Sequence, residues 1–248
     1  MLFAEWRLIF TGPADGYVNM AIDEATLLLV SERRVPPTVR IYHWDRPCQT
    51  IGYLQACPKP ARVSPHADEC QCVRRLTGGW ACQHGGDLSY SLVVSMLDTL
   101  IPSSVRASYE RISAGVIEGL RLLGIDARYL PPAQVQVNGL TIATAAQARR
   151  QGVLLHQGTI ALRPSGVQER MTLPRVTLTP LSEIAGGEID IANAAQALAM
   201  GLRRTLGVDL SPSVLFAKEK RLARQLLREK YMQINWTVSR EWTSSQPN

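Results

Sequence analysis

Apolar positions along this chain follow two regimes. Up to about Pro180 they come mainly as short runs and alternations, and beyond it they recur at helical spacing. Trp6 to Phe10 reads as a strand, ended by a turn at Gly12-Pro13-Ala14-Asp15-Gly16. Asn19 is placed to cap a helix running to about Arg33, with Ile22, Ala25, Leu28 and Leu29 on its inner face. Thr38 to Trp44 and Thr50 to Tyr53 are β-rich, and Val73 to Arg75 leads into a glycine loop at Thr77-Gly78-Gly79. Ser89 to Ser95 alternates and then turns apolar, as a central strand does. Ser104 caps the clearest helix, whose stripe is Tyr109, Ile112, Val116, Leu120 and Leu123 and whose stop is Gly124. Val135 to Val137, Leu140 to Ala148 and Val153 to Leu162 predict a meander, with Asn138-Gly139 as a type I′ hairpin signal. Helices are expected at Ile191 to Leu206 and Leu215 to Tyr231, and fraying from Ser239.

Strands first and helices last predict one α+β domain. Its core is expected over 1–180 and a small helical C-terminal part over 181–238, with 239–248 as a tail. Apolar residues make up 46% and charged residues 19%, the balance of a soluble globular chain, and no run of eighteen apolar residues exists to span a membrane. The apolar start, Met1 to Phe10, is interrupted by Glu5 and Arg7 and lacks a small-residue cleavage site. It reads as a strand rather than an export signal, so a cytoplasmic location is expected. The net charge is +6, yet only four lysines occur, none between Lys59 and Lys218. The basic charge suits acidic protein partners; it is scattered and carries no recognised nucleic-acid module, so nucleic-acid binding is not expected. The basic stretch Lys218 to Lys230 carries Leu222, Leu226 and Leu227 at helical spacing and reads as a solvated outer face.

All five cysteines (Cys48, Cys57, Cys70, Cys72, Cys82) lie in the first third. Cys70-Gln71-Cys72 with His66 and His84 invites a zinc reading, but paired Cys-x-x-Cys knuckles are absent and free thiols are the other reading. In Arg74-Arg75-Leu-Thr77-Gly78-Gly79, two glycines permit close backbone approach to a ligand and an arginine can grip a phosphate; a hairpin turn with surface arginines is the alternative. Cys82 and His84 are two apart, so in a strand they share a face. A thiolate beside an imidazole is the unit of a thioester-forming site, while a free cysteine also serves as a small hydrophobe.

Several segments, in order, resemble the lipoate–protein ligase and octanoyltransferase family. They are Asn19-Met-Ala-Ile-Asp-Glu-Ala25, Pro37-Thr-Val-Arg-Ile-Tyr42 with Trp44, Ile51-Gly-Tyr53 with Gln55, and Arg74-Arg-Leu-Thr-Gly-Gly79 with His84. Ala146-Gln147, Gly152-Val-Leu-Leu-His-Gln-Gly-Thr-Ile160 and Leu226 to Trp236 complete the set, which covers Trp6 to about Trp236. The resemblance implies a mixed, largely antiparallel sheet flanked by helices, the biotin/lipoate ligase fold, which is class II synthetase-like. It implies transfer of a lipoyl or octanoyl group to a lysine of a lipoyl carrier domain, either the H protein or a 2-oxoacid dehydrogenase E2. No tightly bound cofactor is implied; the substrates would be ATP and lipoate by way of lipoyl-AMP, or an octanoyl group on acyl carrier protein. The implied acyl or adenylate pocket is Arg74, Arg75, Thr77, Gly78, Gly79, Trp80, His84, Thr141, Thr144, Gln147, His156, Gly158 and Thr159.

Two departures stand out against that pattern. The family carries a lysine two residues after the glycine that matches Gly139, where it neutralises charge on the acyl carbonyl; here Thr141 occupies the position, and Thr144 replaces a later glycine. Losing such a contact costs about a hundred- to a thousandfold in rate. The octanoyltransferase cysteine, about a dozen residues before that glycine, has no counterpart between Asp126 and Asn138. Trp80 stands where the family has smaller residues, so it would narrow the pocket or fill the nucleotide's place. Two readings follow: a transferase or ligase with altered site chemistry, or a non-catalytic homologue that binds an acyl ligand or a lipoyl domain.

Overall fold

A computed structural model describes residues 5–57, 71–167 and 174–241. Cys70 and His66 of the zinc reading, Lys59 and the end of the tail lie outside the described residues, among which no group of three His, Cys, Asp or Glu side chains is placed to hold a metal. No helix among them is long and apolar enough to cross a membrane.

The chain runs β1 (Trp6–Phe10), α1 (Gly16–Ser31), β2 (Thr38–Tyr42), β3 (Cys48–Ile51), β4 (Gln71–Arg74), β5 (Cys82–His84), β6 (Asp87–Ser95) and α2 (Val105–Leu122). It continues β7 (Arg128–Leu130), β8 (Gln134–Val137), β9 (Leu140–Arg150), β10 (Val153–Ala161), α3 (Leu181–Ala185) and α4 (Ile191–Leu206). β11 (Leu210–Ser213), α5 (Ala217–Leu226), a π-helical turn (Leu227–Tyr231) and α6 (Ile234–Ser239) close it. Eight strands form one sheet in the order β11-β1-β2-β6-β10-β9-β8-β7. β11, β1 and β2 pair in parallel and every later pairing is antiparallel, the mixed and largely antiparallel sheet expected. A second sheet, β4-β3-β5, stands apart.

Side-chain alternation in β6 explains the layering. Leu88, Tyr90, Leu92 and Val94 join the core beneath α2 and α4, with Ile112, Val116, Leu120, Leu198 and Leu202. The alternate face sends Val93 into the core under α1 and α5, and Ser89 and Ser91 toward buried carboxylates. Three buried ion pairs fasten the second layer: Arg40 to Asp23 (2.8 Å), Lys230 to Glu24 (2.7 Å), and Arg7 to Glu219, which ties α5 to β1.

Where predicted boundaries fail, the reason is local chemistry or remote pairing. Asp15, not Asn19, caps α1, its carboxylate accepting from the Val18 N–H (2.8 Å); Asn19 lies a turn inside, its amide accepting from Arg40. β11 falls between two correctly placed helices and exists because it pairs with β1, some two hundred residues away. Asn138 and Gly139 both adopt positive φ, as a type I′ turn requires.

Candidate functional site

The glycine loop between β4 and β5 is anchored from beneath. The Thr77 hydroxyl donates to Gln157 Oε1 (2.7 Å), and Gln157 Nε2 donates to Asp23 Oδ2 (2.7 Å), so the loop hangs on the buried Asp23–Arg40 pair. Gly79 takes φ +84°, and its carbonyl passes so close to Gly52 that a Cβ there would overlap it. That loop, β3 and β5 face the inner surface of β6, β9 and β10 across a cavity of about 450 Å³. Its walls are mainly apolar, from Met20, Tyr42, Trp44, Tyr109, Pro132 and Ala146 among others, and its size suits a small-molecule ligand (roughly 300–1,000 Å³).

At the polar end lies a built cluster. His84 Nδ1 donates to Asp87 Oδ2 (2.8 Å), and the ring stacks on Trp44 at 4.0 Å between centroids. Asp87 also accepts from Trp44 Nε1 (3.1 Å), the Ser89 hydroxyl (2.9 Å), the Gly85 N–H (2.9 Å) and the Thr159 hydroxyl. Burial by itself would lower the His84 pKa; the Asp87 carboxylate and the neighbouring Cys82 sulfur outweigh it and raise it to about 9. Burial pushes the Asp87 carboxyl up, but His84 and the Thr159 and Gly85 donors hold it below its ordinary value. At neutral pH this is therefore an imidazolium–carboxylate pair, and His84 Nε2–H donates to the Thr50 hydroxyl (2.9 Å).

Of the residues expected to form a pocket, Arg75, Gly79, Trp80, His84, Thr144, Gly158 and Thr159 line the cavity, and so does Cys82. Arg74, Thr77, Gly78, Thr141, Gln147 and His156 lie outside its lining. Arg74 is buried on the other side of the loop, donating to the carbonyls of Gly52, Tyr53, Gln55, Thr237 and Val238; it braces the C-terminal α6 instead of gripping an anion. Arg75 has four of its five N–H groups occupied by Thr77, Thr50, Gly78 and Trp80. His156 sits behind the wall between Tyr90 (3.2 Å) and Gln147 (3.0 Å), and burial, helped by Arg149, lowers its pKa to about 3. Thr141 faces Gln134 and Gln136 (both 3.2 Å). Trp80 stands at the rim, 58% exposed, in contact with the cavity.

Sequence reasoning missed Asp87, Thr50, Trp44 and Tyr109. The His84-x-x-Asp87 spacing was the available signal for the first; Thr50 meets the site only because β3 pairs with β5.

The family model of the lipoyl protein ligase A/B catalytic domain matches residues 15–203. Octanoyltransferase LipM of Kyrpidia tusciae is 34% identical over 268 residues, 93% of this chain and 97% of that protein. The solved structure of protein Ta0514 from T. acidophilum with bound lipoic acid aligns at a TM-score of 0.76 and 25% identity, covering 95% of this chain and all of that one. Lipoate-protein ligase A bound with ATP aligns at 0.76 and 25% identity, covering 94% and 98%.

Proposed function

We propose that this chain, which belongs to the lipoyl protein ligase A/B catalytic domain family, moves an octanoyl or lipoyl group onto a lysine of a lipoyl carrier domain in the cytoplasm. The carrier is the H protein or a 2-oxoacid dehydrogenase E2. The acyl chain lies along the apolar wall of the cavity, with its carbonyl toward His84 and Thr50. The observation that carries this reading is the pairing of an apolar cavity with a buried His84–Asp87 acid–base pair at one end.

The donor is an acyl thioester on acyl carrier protein. Delivery from ATP passes through an acyl-adenylate, and its phosphates call for positive charge. Among the described lining residues the cations are Arg75 and the Asp87-paired His84, and Arg75 is largely committed to the loop carbonyls and hydroxyls around it. ATP and lipoate remain the competing donors, since relatives of known structure bind each of them.

A non-catalytic role is the second reading, favoured by Thr141: its hydroxyl is taken up by two glutamines and it adds no charge. Incubating the purified chain and a lipoyl domain with octanoyl carrier protein, or with ATP and lipoate, and weighing the lipoyl domain separates these. A mass gain from the thioester alone is expected. Gain only with ATP and lipoate overturns the choice of donor, and a stable complex with no gain under either condition supports the non-catalytic reading. In that case Thr141→Lys tests whether charge alone was missing.

A further inference from the structure

The geometry points to Cys82 as the residue that takes the acyl group covalently, as a thioester, on its way from the donor to the carrier lysine. This rests on the transfer reading above and adds a nucleophile to it.

Cys82 and His84 project from the same face of β5, and Thr50 stands directly opposite Cys82 in the β3–β5 ladder. All three line the cavity, and Cys82 is the one cysteine among the described residues that does. The thiol is buried, makes a long contact of 3.8 Å to the Gln83 carbonyl, and also lies within hydrogen-bonding reach of the His84 ring. Beside it the imidazole cannot swing: Asp87 holds one nitrogen, Thr50 the other, and Trp44 covers a face. A nucleophile, a base within reach, and a third group orienting the base are the parts a covalent acyl-transfer site needs.

Thr50 supplies a second pointer, which holds for protonated His84. Its oxygen accepts from two cationic donors, His84 Nε2–H (2.9 Å) and Arg75 Nη1–H (3.0 Å), which fill both lone pairs. The hydroxyl proton must then be donated outward, and it has no acceptor among the described residues although Thr50 is 2% exposed. A buried donor facing the cavity opposite a thiol suits a developing negative charge, whether on the sulfur or on the acyl oxygen. This arrangement stands in for the lysine absent at position 141 and for the cysteine absent before Gly139.

The steps balance without a further reagent. In the tautomer with the shared proton on His84, the Cys82 sulfur attacks the donor carbonyl, a new C–S bond forms and the old C–S bond breaks; the departing carrier thiolate takes the Thr50 hydroxyl proton as His84 Nε2 passes its own to the Thr50 oxygen. The carrier lysine, as the free amine, then attacks the Cys82 thioester. As the amide forms, the Thr50 oxygen takes the amine proton and gives its own to neutral His84 Nε2, and Cys82 leaves as the thiolate that began the cycle.

The test uses the full chain with octanoyl carrier protein, quenched in acid and weighed intact, with and without a lipoyl domain. One octanoyl group is expected on the peptide holding Cys82, labile to hydroxylamine and discharged on adding lipoyl domain. Cys82→Ala should lose both the adduct and transfer, on the order of a thousandfold or more in rate. Cys82→Ser should slow transfer similarly while folding as wild type, and Cys72→Ala should do neither. If Cys82→Ala modifies the lipoyl domain at the wild-type rate, the nucleophile assignment is wrong and the transfer reading stands. An adduct on Cys82 that never moves on supports the nucleophile and overturns the transfer reading. If neither protein gains mass from any donor, transfer itself is wrong and the Cys82 step falls with it.

Discussion

Replacing Asp87 with Asn keeps the size and shape of the side chain but removes the charge that His84 leans on. The raised His84 pKa, about 9 against an ordinary 6.5, means the folded protein holds that proton more tightly than the unfolded chain does. Because the folded value is the higher one, the stabilisation is fully present below about pH 6.5. It is lost as pH rises toward 9. At about 1.4 kcal/mol per pKa unit the His84 shift, to which Asp87 is the largest favourable contributor, stabilises by about 3 kcal/mol near pH 6.5 and by almost nothing at pH 9.5. Both groups are buried, so solvent screening takes little from this figure. Asn also turns an amide N–H₂ toward donors that Asp87 accepts from, a cost that does not vary with pH. The signature is therefore the difference between conditions. Urea unfolding of wild type and Asp87→Asn should differ by about 3 kcal/mol more at pH 6.5 than at pH 9.5. Imidazole NMR should place His84 near 9 in the wild type and well below that in the variant, where burial opposes the charge and Cys82 is the raising influence that remains. An equal stability loss at both pH values, or a wild-type His84 titrating at 6.5, refutes the ion pair.

Three further outcomes follow from the same geometry. His156, held neutral with a pKa of about 3, takes a proton in the unfolded chain first, so stability falls as pH drops below about 6.5; roughly 2 kcal/mol should be gone by pH 5, a loss absent from His156→Gln in paired denaturation curves. Gly158→Ala brings a Cβ to within 2.3 Å of the Tyr90 ring, which must rotate off His156, so about 1–3 kcal/mol of destabilisation is expected by calorimetry along with weakened acyl binding. Glu219→Gln strands Arg7 in the core and should cost about 3–5 kcal/mol, whereas an apolar pair, Arg7→Met with Glu219→Leu, should recover most of it.

Much of the architecture could be read along the chain because its causes are local. The stripe from Tyr109 to Leu123 and the Asn138-Gly139 turn each answer to helical or hairpin rules within a few residues. The ordered family segments carried the kinship and, through it, the mixed sheet. Part of the site was legible too: Arg75, Gly79, Trp80, Cys82, His84, Thr144, Gly158 and Thr159 do meet in one cavity.

What the one-dimensional pattern could not decide is which of those groups remain available to a ligand. Arg74 and Arg75 are adjacent and chemically identical, yet successive residues on an extended backbone face opposite ways, one toward α6 and one toward the cavity. Thr50 and Cys82 become partners through strand pairing across a loop, and β11 exists only against β1. The charge state of His84 depends on Asp87, Cys82 and burial acting together, whereas His156, in a similarly buried strand position without a carboxylate, goes the other way. Local propensity and motif order thus determined most of the elements and the family, while non-local packing determined β11 and the protonation, hydrogen bonding and openness of the site, because those depend on which groups surround a side chain in space.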